Sequence, residues 1–238
     1  AIGSHPPSLD AFAAIGLDTA VLAEASLVHA GVARSRGRTL GTLRFDRASP
    51  THPYVATLDQ HRTESLLRDR LHTGAPEALR TGTALTALTR HTDHVDATGS
   101  GPDGDVVTVR AAFVVGADGA RSVVRDLLGI GTTGREYPDR YVMGDFADPE
   151  APSARSAALV DVGPDGVVES FPLPGARRRY VALVPDDAAF AAAERGATGD
   201  PDPALVARLA ALVAERTGVV PDPATCSMTK CPRRVAWH

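Results

Sequence analysis

The chain has 238 residues, 43% of them hydrophobic, and a formal net charge of −4. That is enough apolar material to bury a core and argues against disorder, and the interspersed acids and bases give no electrostatic footprint for nucleic acid. No apolar run is long enough to span a bilayer, no signal peptide is visible, and two cysteines are too few for a disulfide framework, so a reducing cytoplasm is the expected location.

In chain order, Pro6-Pro7-Ser8 reads as a helix start, with proline tolerated in the first turn and Ser8 as the cap. Leu9, Phe12, Ile15 and Leu17 follow near helical spacing, Gly16 marks the end, and a second short helix is expected over 18–24. From Leu27 the pattern alternates, Arg36-Gly37 punctuates it, and Leu40, Leu43 and Phe45 resume it, as in a β-hairpin with a basic tip. A strand over 54–58 leads into a helix from Asp59, its expected cap, to Leu71. Short strands are expected over 79–88, 95–98, 106–109 and 112–115, and the last runs into Gly116-Ala117-Asp118-Gly119 and a helix from Ser122. Further strands over 141–146, 157–162, 167–173 and 180–184 suggest an antiparallel sheet. Helices are expected over 187–195 and 203–216. The fold class is α+β: one α/β part and one antiparallel-sheet part.

The run from Phe113 to Arg125 carries the chemistry. A strand delivers the chain to a tight turn, Gly116 and Gly119 allow unusual dihedrals and close approach to a ligand, and the free N–H groups of the next helix favour an anion. Asp118 can accept bonds from ligand hydroxyls, while Arg121 and Arg125 can offset phosphate charge. An isolated Asp-Gly would read as an ordinary turn opening a helix; the longer string is more particular.

Gly116-Ala117-Asp118-Gly119 followed by Ser122-x-x-Arg125 resembles the Asp-Gly fingerprint of the FAD-dependent aromatic hydroxylases. Gln60-x-x-x-Glu64-x-x-Leu67 is similar to the family's helix start, whose glutamine lies near the flavin ribityl-phosphate region, and 5–17 and 140–146 resemble other family segments. The resemblance implies a partial Rossmann-like FAD-binding domain over 1–26 and 57–139, a substrate-binding sheet domain over 27–56 and 140–232, and a return to the first at 233–238. It implies FAD contacts from Gln60, Gly116, Ala117, Asp118, Gly119, Ser122 and Arg125. It also implies NADPH or NADH as reductant, O2 as co-substrate, and hydroxylation or epoxidation of an aromatic or polyketide-like small molecule through a C4a-hydroperoxyflavin, as in bacterial secondary metabolism. The family's Gly-x-Gly-x-x-Gly loop and its Gly-Asp fingerprint are both missing, and both are expected beyond the two ends of this stretch. Within the same fold, a halogenase or a reductase is the alternative; outside it, a non-catalytic domain that has lost flavin.

No catalytic side chain stands out. His91 and His94 lie three apart in a polar stretch without a carboxylate cluster, which points to a solvated pair and to no metal site. Cys226 and Cys231 lack a second pair, and no Gly-x-Ser-x-Gly supports hydrolase chemistry. Arg177-Arg178-Arg179 reads as a charged hairpin edge that discourages aggregation, with attraction of an acidic substrate as the alternative. Trp237 reads equally as core or as a flavin neighbour.

Overall fold

The computed structural model describes residues 2–148, 156–184, 202–230 and 233–237, and the backbone alone for 135–139, 230 and 233–237. It divides into two units, residues 1–70 with 137–234 and residues 71–136 with 235–238. The helix expected over 187–195 and Cys231 lie outside the described residues.

The first unit opens with β1 (Gly3–Ser4), α1 (Pro6–Ala14) and α2 (Asp18–Glu24). Two prolines occupy the first turn of α1, so the cap falls before them. The cap residue is His5, not Ser8, and the His5 carbonyl takes the N–H groups of Ser8 and Leu9 at 2.9 and 3.0 Å. Gly16 follows at φ +68. Strands β2 (Ser26–Val28) and β5 (Val55–Thr57) join β1 in a three-stranded antiparallel sheet. With α1, α2 and α3 (Gln60–Gly74) this sheet encloses a small core of Leu9, Leu17, Val21, Ala56, Leu58 and Leu66. Arg62 on α3 clasps Glu24 on α2 with two bonds of 2.6 and 2.7 Å.

Strands β3 (Ala30–Ser35) and β4 (Arg38–Arg44) form the expected hairpin. Arg36 and Gly37 are both at positive φ, as a tight turn matched to strand twist requires. The hairpin is the outer part of a large sheet ordered β13-β9-β12-β11-β10-β3-β4, with β14 also on β9. Its other members are β9 (Gly134–Ala147), β10 (Ala157–Gly163), β11 (Gly166–Leu173), β12 (Arg177–Val184), β13 (Met228–Lys230) and β14 (Arg233–Trp237). The sheet is not wholly antiparallel: β3 and β10 run parallel, Ala30 opposite Ala157 through Arg34 opposite Asp161. More than a hundred residues separate the two strands, so no short turn dictates their sense.

Helix α5 (Pro203–Thr217) covers one face of this sheet. Asp202 caps it, Pro203 sits at its first position, and Gly218 ends it at φ +77. Leu205, Val206, Leu209, Leu212 and Val213 bury themselves against Val142, Phe146, Val168, Tyr180 and Ala182, each contributing roughly 1.5–3 kcal/mol by burial. Gly144 is glycine for this reason: a Cβ there would stand 2.8 Å from Leu209 Cδ2. Since strand side chains alternate, Met143, Asp145, Phe171, Arg179 and Val181 belong to the opposite face.

The second unit is a meander of β6 (Ala84–Arg90), β7 (Val95–Ser100) and β8 (Val106–Ala111), with the short helix α4 (Val123–Leu127). The strand expected over 112–115 does not form. Backbone 113–119 joins no strand among the described residues, and Phe113 and Val115 are 87% and 85% exposed. β-Branched and aromatic residues favour a pleated surface, but a strand exists only where a neighbour takes its backbone hydrogen bonds.

Candidate functional site

Six of the seven residues expected to hold a cofactor lie in one loop and the first turn of α4, in the second unit. The two glycines serve different ends. Gly119, at φ +77, makes the turn, and a Cβ there would meet nothing within 4 Å. Gly116 makes room for the helix: a Cβ there would stand 2.8 Å from Val124 Cγ1. Ala117, Asp118 and Arg121 are exposed.

Asp118 turns its carboxylate onto the start of α4. Ser122 Oγ donates to Oδ1 at 2.5 Å, and the Val124 N–H donates to Oδ2 at 3.0 Å. Ser122, in turn, caps the helix by accepting from the Arg125 N–H at 3.1 Å. The Arg125 guanidinium reaches back to the Ala120 carbonyl at 3.0 Å. The Ser122 hydroxyl first, then the Val124 N–H, hold the Asp118 carboxyl below the usual carboxylate range. Asp118 is therefore an ionised acceptor in a pre-formed turn, and the ordinary turn-and-cap role is present in full.

Gln60, the seventh, lines a cavity of about 700 Å³ wholly within the first unit. Its walls are Asp59, Gln60, His61 and Glu64 from the start of α3, Met143 and Asp145 of β9, Arg177 and Arg179 of β12, and Ser227 and Met228 at β13. Gln60 Nε2 donates to Glu64 Oε1 at 2.9 Å. The Asp59 carbonyl accepts the Arg62 and Thr63 N–H groups at 3.0 and 3.1 Å, while the Asp59 carboxylate engages Arg177. Arg179 donates to both oxygens of Asp145 at 2.6 and 2.7 Å.

The arginine triplet is thus not an exposed edge. Strand β12 runs between β9 and β11, and alternation sends Arg178 to the opposite side from its neighbours. Arg178 is 1% exposed, 3.1 Å from Asp148 and 3.2 Å from Ser170 Oγ. Reading the triplet as an edge missed three cavity residues, Asp145, Arg177 and Arg179. The usable signal was complementary charge: acids at 145 and 148, within and just after one core strand, and bases at 177–179 in another.

His91 and His94 also need correction, because the structure does bring carboxylates to them. The turn between β6 and β7 stacks the two rings at 4.2 Å and 13°. Asp96 Oδ2 lies 3.2 Å from His91 Nε2 and 3.8 Å from His94 Nε2, and Asp93 is 2.6 Å from His94 Nδ1. These groups could surround an ion, but nearly parallel ring planes aim their lone pairs side by side rather than at one point. Arg110 already holds both oxygens of Asp96 at 2.8 and 3.0 Å and pulls its pKa down to about 2. Cys226 is half-buried, and burial pushes its thiol up. The Trp237 side chain lies outside the described residues.

A family model described as the FAD binding domain matches residues 1–236. The chain belongs to this family. Among curated relatives, the 12-dehydrotetracycline 5-monooxygenase/anhydrotetracycline 6-monooxygenase of Streptomyces rimosus is 39% identical over 137 residues, which is 57% of this chain and 26% of that protein. The chain therefore spans about a quarter of the length of that relative. Among solved structures, the anhydrotetracycline hydroxylase of S. rimosus superposes with a TM-score of 0.65 at 26% identity, covering 100% of this chain and 44% of that one. The p-nitrophenol 4-monooxygenase of Pseudomonas putida gives 0.73 at 19% identity over 100% and 57%, which speaks to the fold alone. No helix among the described residues is long and apolar enough to cross a membrane.

Proposed function

We infer that this chain is the cofactor- and substrate-binding part of an FAD-dependent monooxygenase that uses NADPH or NADH and O2 to hydroxylate or epoxidise an aromatic, polyketide-like molecule. The observation that carries this reading is the Gln60 cavity, whose volume is in the range of small-molecule sites. It joins a helix start to the face of a large sheet opposite α5, within a chain of the FAD binding domain family.

The residues fit such a cofactor. The exposed turn at Gly119 leaves room beside the backbone, and Asp118 is an ionised acceptor next to it. Under this reading Gly116, Ala117, Asp118, Gly119, Ser122 and Arg125 contact FAD. When bound, FAD supplies the oxygen activation that no side chain here provides. The chain's own part is to bind, orient and exclude water: Asp118 accepts from ligand hydroxyls, Arg125 offsets negative charge, and Met143 and Met228 give the cavity apolar walls. By this reading the family domain over 1–26 and 57–139 holds the cofactor, and 27–56 with 140–232 hold the substrate.

One observation favours a second reading, a domain that keeps the fold without flavin: both Asp118 oxygens are already engaged in capping α4. The test is the protein in its natural full length. A yellow preparation with flavin absorbance, whose NAD(P)H oxidation rises with aromatic compounds, supports the monooxygenase. A colourless protein that takes up no added FAD leaves the second reading.

A further inference from the structure

The cavity's two guanidiniums are paired before any ligand arrives. Two guanidiniums line it, Arg177 and Arg179, against three carboxylates, Asp59, Glu64 and Asp145. Arg179 spends Nε and Nη2 on Asp145 at 2.6 and 2.7 Å, and Arg177 is engaged by Asp59 and lies 3.9 Å from Asp145. Arg177 Nε also donates to the Pro174 carbonyl at 3.2 Å. Glu64 takes the Gln60 amide at 2.9 Å and sits 3.5 Å from Arg68 on its own helix.

The register across the sheet face opposite α5 sets what lies beside these pairs. Asp145 lies opposite Arg179, and Arg179 lies opposite Phe171; one row on, Met143 lies opposite Val181. Met228 lies opposite Asp145 on its other side. Of the cavity's lining, Met143 and Met228 thus flank the ion pair and offer apolar side chains to the face of an aromatic ring.

We propose that this cavity selects an uncharged aromatic substrate and turns away carboxylated ones, with the Asp145–Arg179 pair as the specificity determinant. The proposal rests on reading the cavity as a substrate site. A carboxylate entering it would shed its water without gaining an uncommitted cation, and would meet a lining with one more negative than positive group; an unpaired buried charge is strongly disfavoured. A phenol or quinone meets no such penalty. Arg179 has further N–H groups beyond the two on Asp145, and carboxylate lone pairs can accept a phenolic O–H. Asp145 sets the preference by occupying Arg179; with that charge removed, Arg179 becomes an anchor for anions.

The experiment measures binding of 1-naphthol and of 1-hydroxy-2-naphthoate to the full-length protein by calorimetry, with NAD(P)H oxidation recorded in parallel. The naphthol should bind about tenfold tighter or more, and Asp145→Asn should close or reverse that gap. Arg179→Gln should widen it, which keeps the test available if Asp145→Asn does not fold. Equal or tighter wild-type binding of the naphthoate, an unchanged ratio in both variants, or binding of neither compound overturns the proposal. Failure of the monooxygenase reading looks different: charge-selective binding persists, but neither compound stimulates NAD(P)H oxidation.

Discussion

Arg179 and Asp145 face each other across the β9–β12 register and are joined by two hydrogen bonds of 2.6 and 2.7 Å. Asp145 is 2% exposed, so the pair stands at the floor of the cavity rather than on a solvated surface. One strand position away, Arg178 and Asp148 form a second pair on the other face, at 1% and 0% side-chain exposure. Strand β12 therefore carries one arginine into the cavity and the preceding one into the protein interior.

The interior pair should behave asymmetrically. Asp148→Ala removes a carboxylate partner from the buried Arg178 and should cost about 3–5 kcal/mol, whereas replacing both, Arg178→Met with Asp148→Leu, should stay near wild type. Urea denaturation of the two variants checks this. A single variant within about 1 kcal/mol of wild type would mean that Arg178 finds other compensation.

The two glycines of the 116–119 turn should fail for different reasons. Gly116→Ala pushes a Cβ into Val124 and should cost about 1–3 kcal/mol, restored in large part by Val124→Ala. Gly119→Ala strains a backbone at φ +77 and should cost about 1 kcal/mol, with no rescue from Val124→Ala. Double-mutant thermal denaturation separates the two; equal rescue of both would show that packing, not backbone conformation, governs the turn.

Acid should act late on the second unit. Arg110 holds Asp96 down to about 2 from an ordinary 3.8. A depressed carboxylate stabilises the fold fully above its unfolded pKa and loses that contribution as pH falls through the folded one. The β6–β7–β8 meander should therefore keep its Asp96 contribution down to about pH 4 and lose it towards pH 2. Asp118 should shift the same way, through Ser122 and Val124. Carboxyl NMR titration reads both directly, and an Asp96 midpoint near the ordinary value would contradict the bidentate Arg110 contact.

Much of this arrangement was legible in the residues. Proline and glycine punctuation located α1, α5 and the β3–β4 hairpin, because those residues restrict the backbone locally. The start of α4 at Ser122 was read from the residues, and the structure shows Ser122 as its cap. What escaped depends on distant partners. The parallel pairing of β3 with β10 joins residues far apart in sequence. Phe113 to Val115 carry strand-like side chains, yet no neighbouring strand pairs with them among the described residues. The arginines at 177–179 were misread for the same reason: their role is set by Asp59, Asp145 and Asp148, which lie at least 29 positions away. A motif pointed to Gln60, which lines the cavity, whereas its cavity neighbours Asp145 and Arg179 carried no motif.

The account turns on whether the loop through Asp118 holds FAD. Fluorescence titration of FAD into the full-length protein, wild type against Asp118→Ala, tests this most directly, with Ser122→Ala as the variant that loosens the same turn but keeps the carboxylate. Loss of a charge-assisted bond should weaken FAD binding about tenfold to a hundredfold in Asp118→Ala and less in Ser122→Ala. Unchanged FAD affinity in a folded Asp118→Ala protein would contradict the account and leave Asp118 as a helix cap.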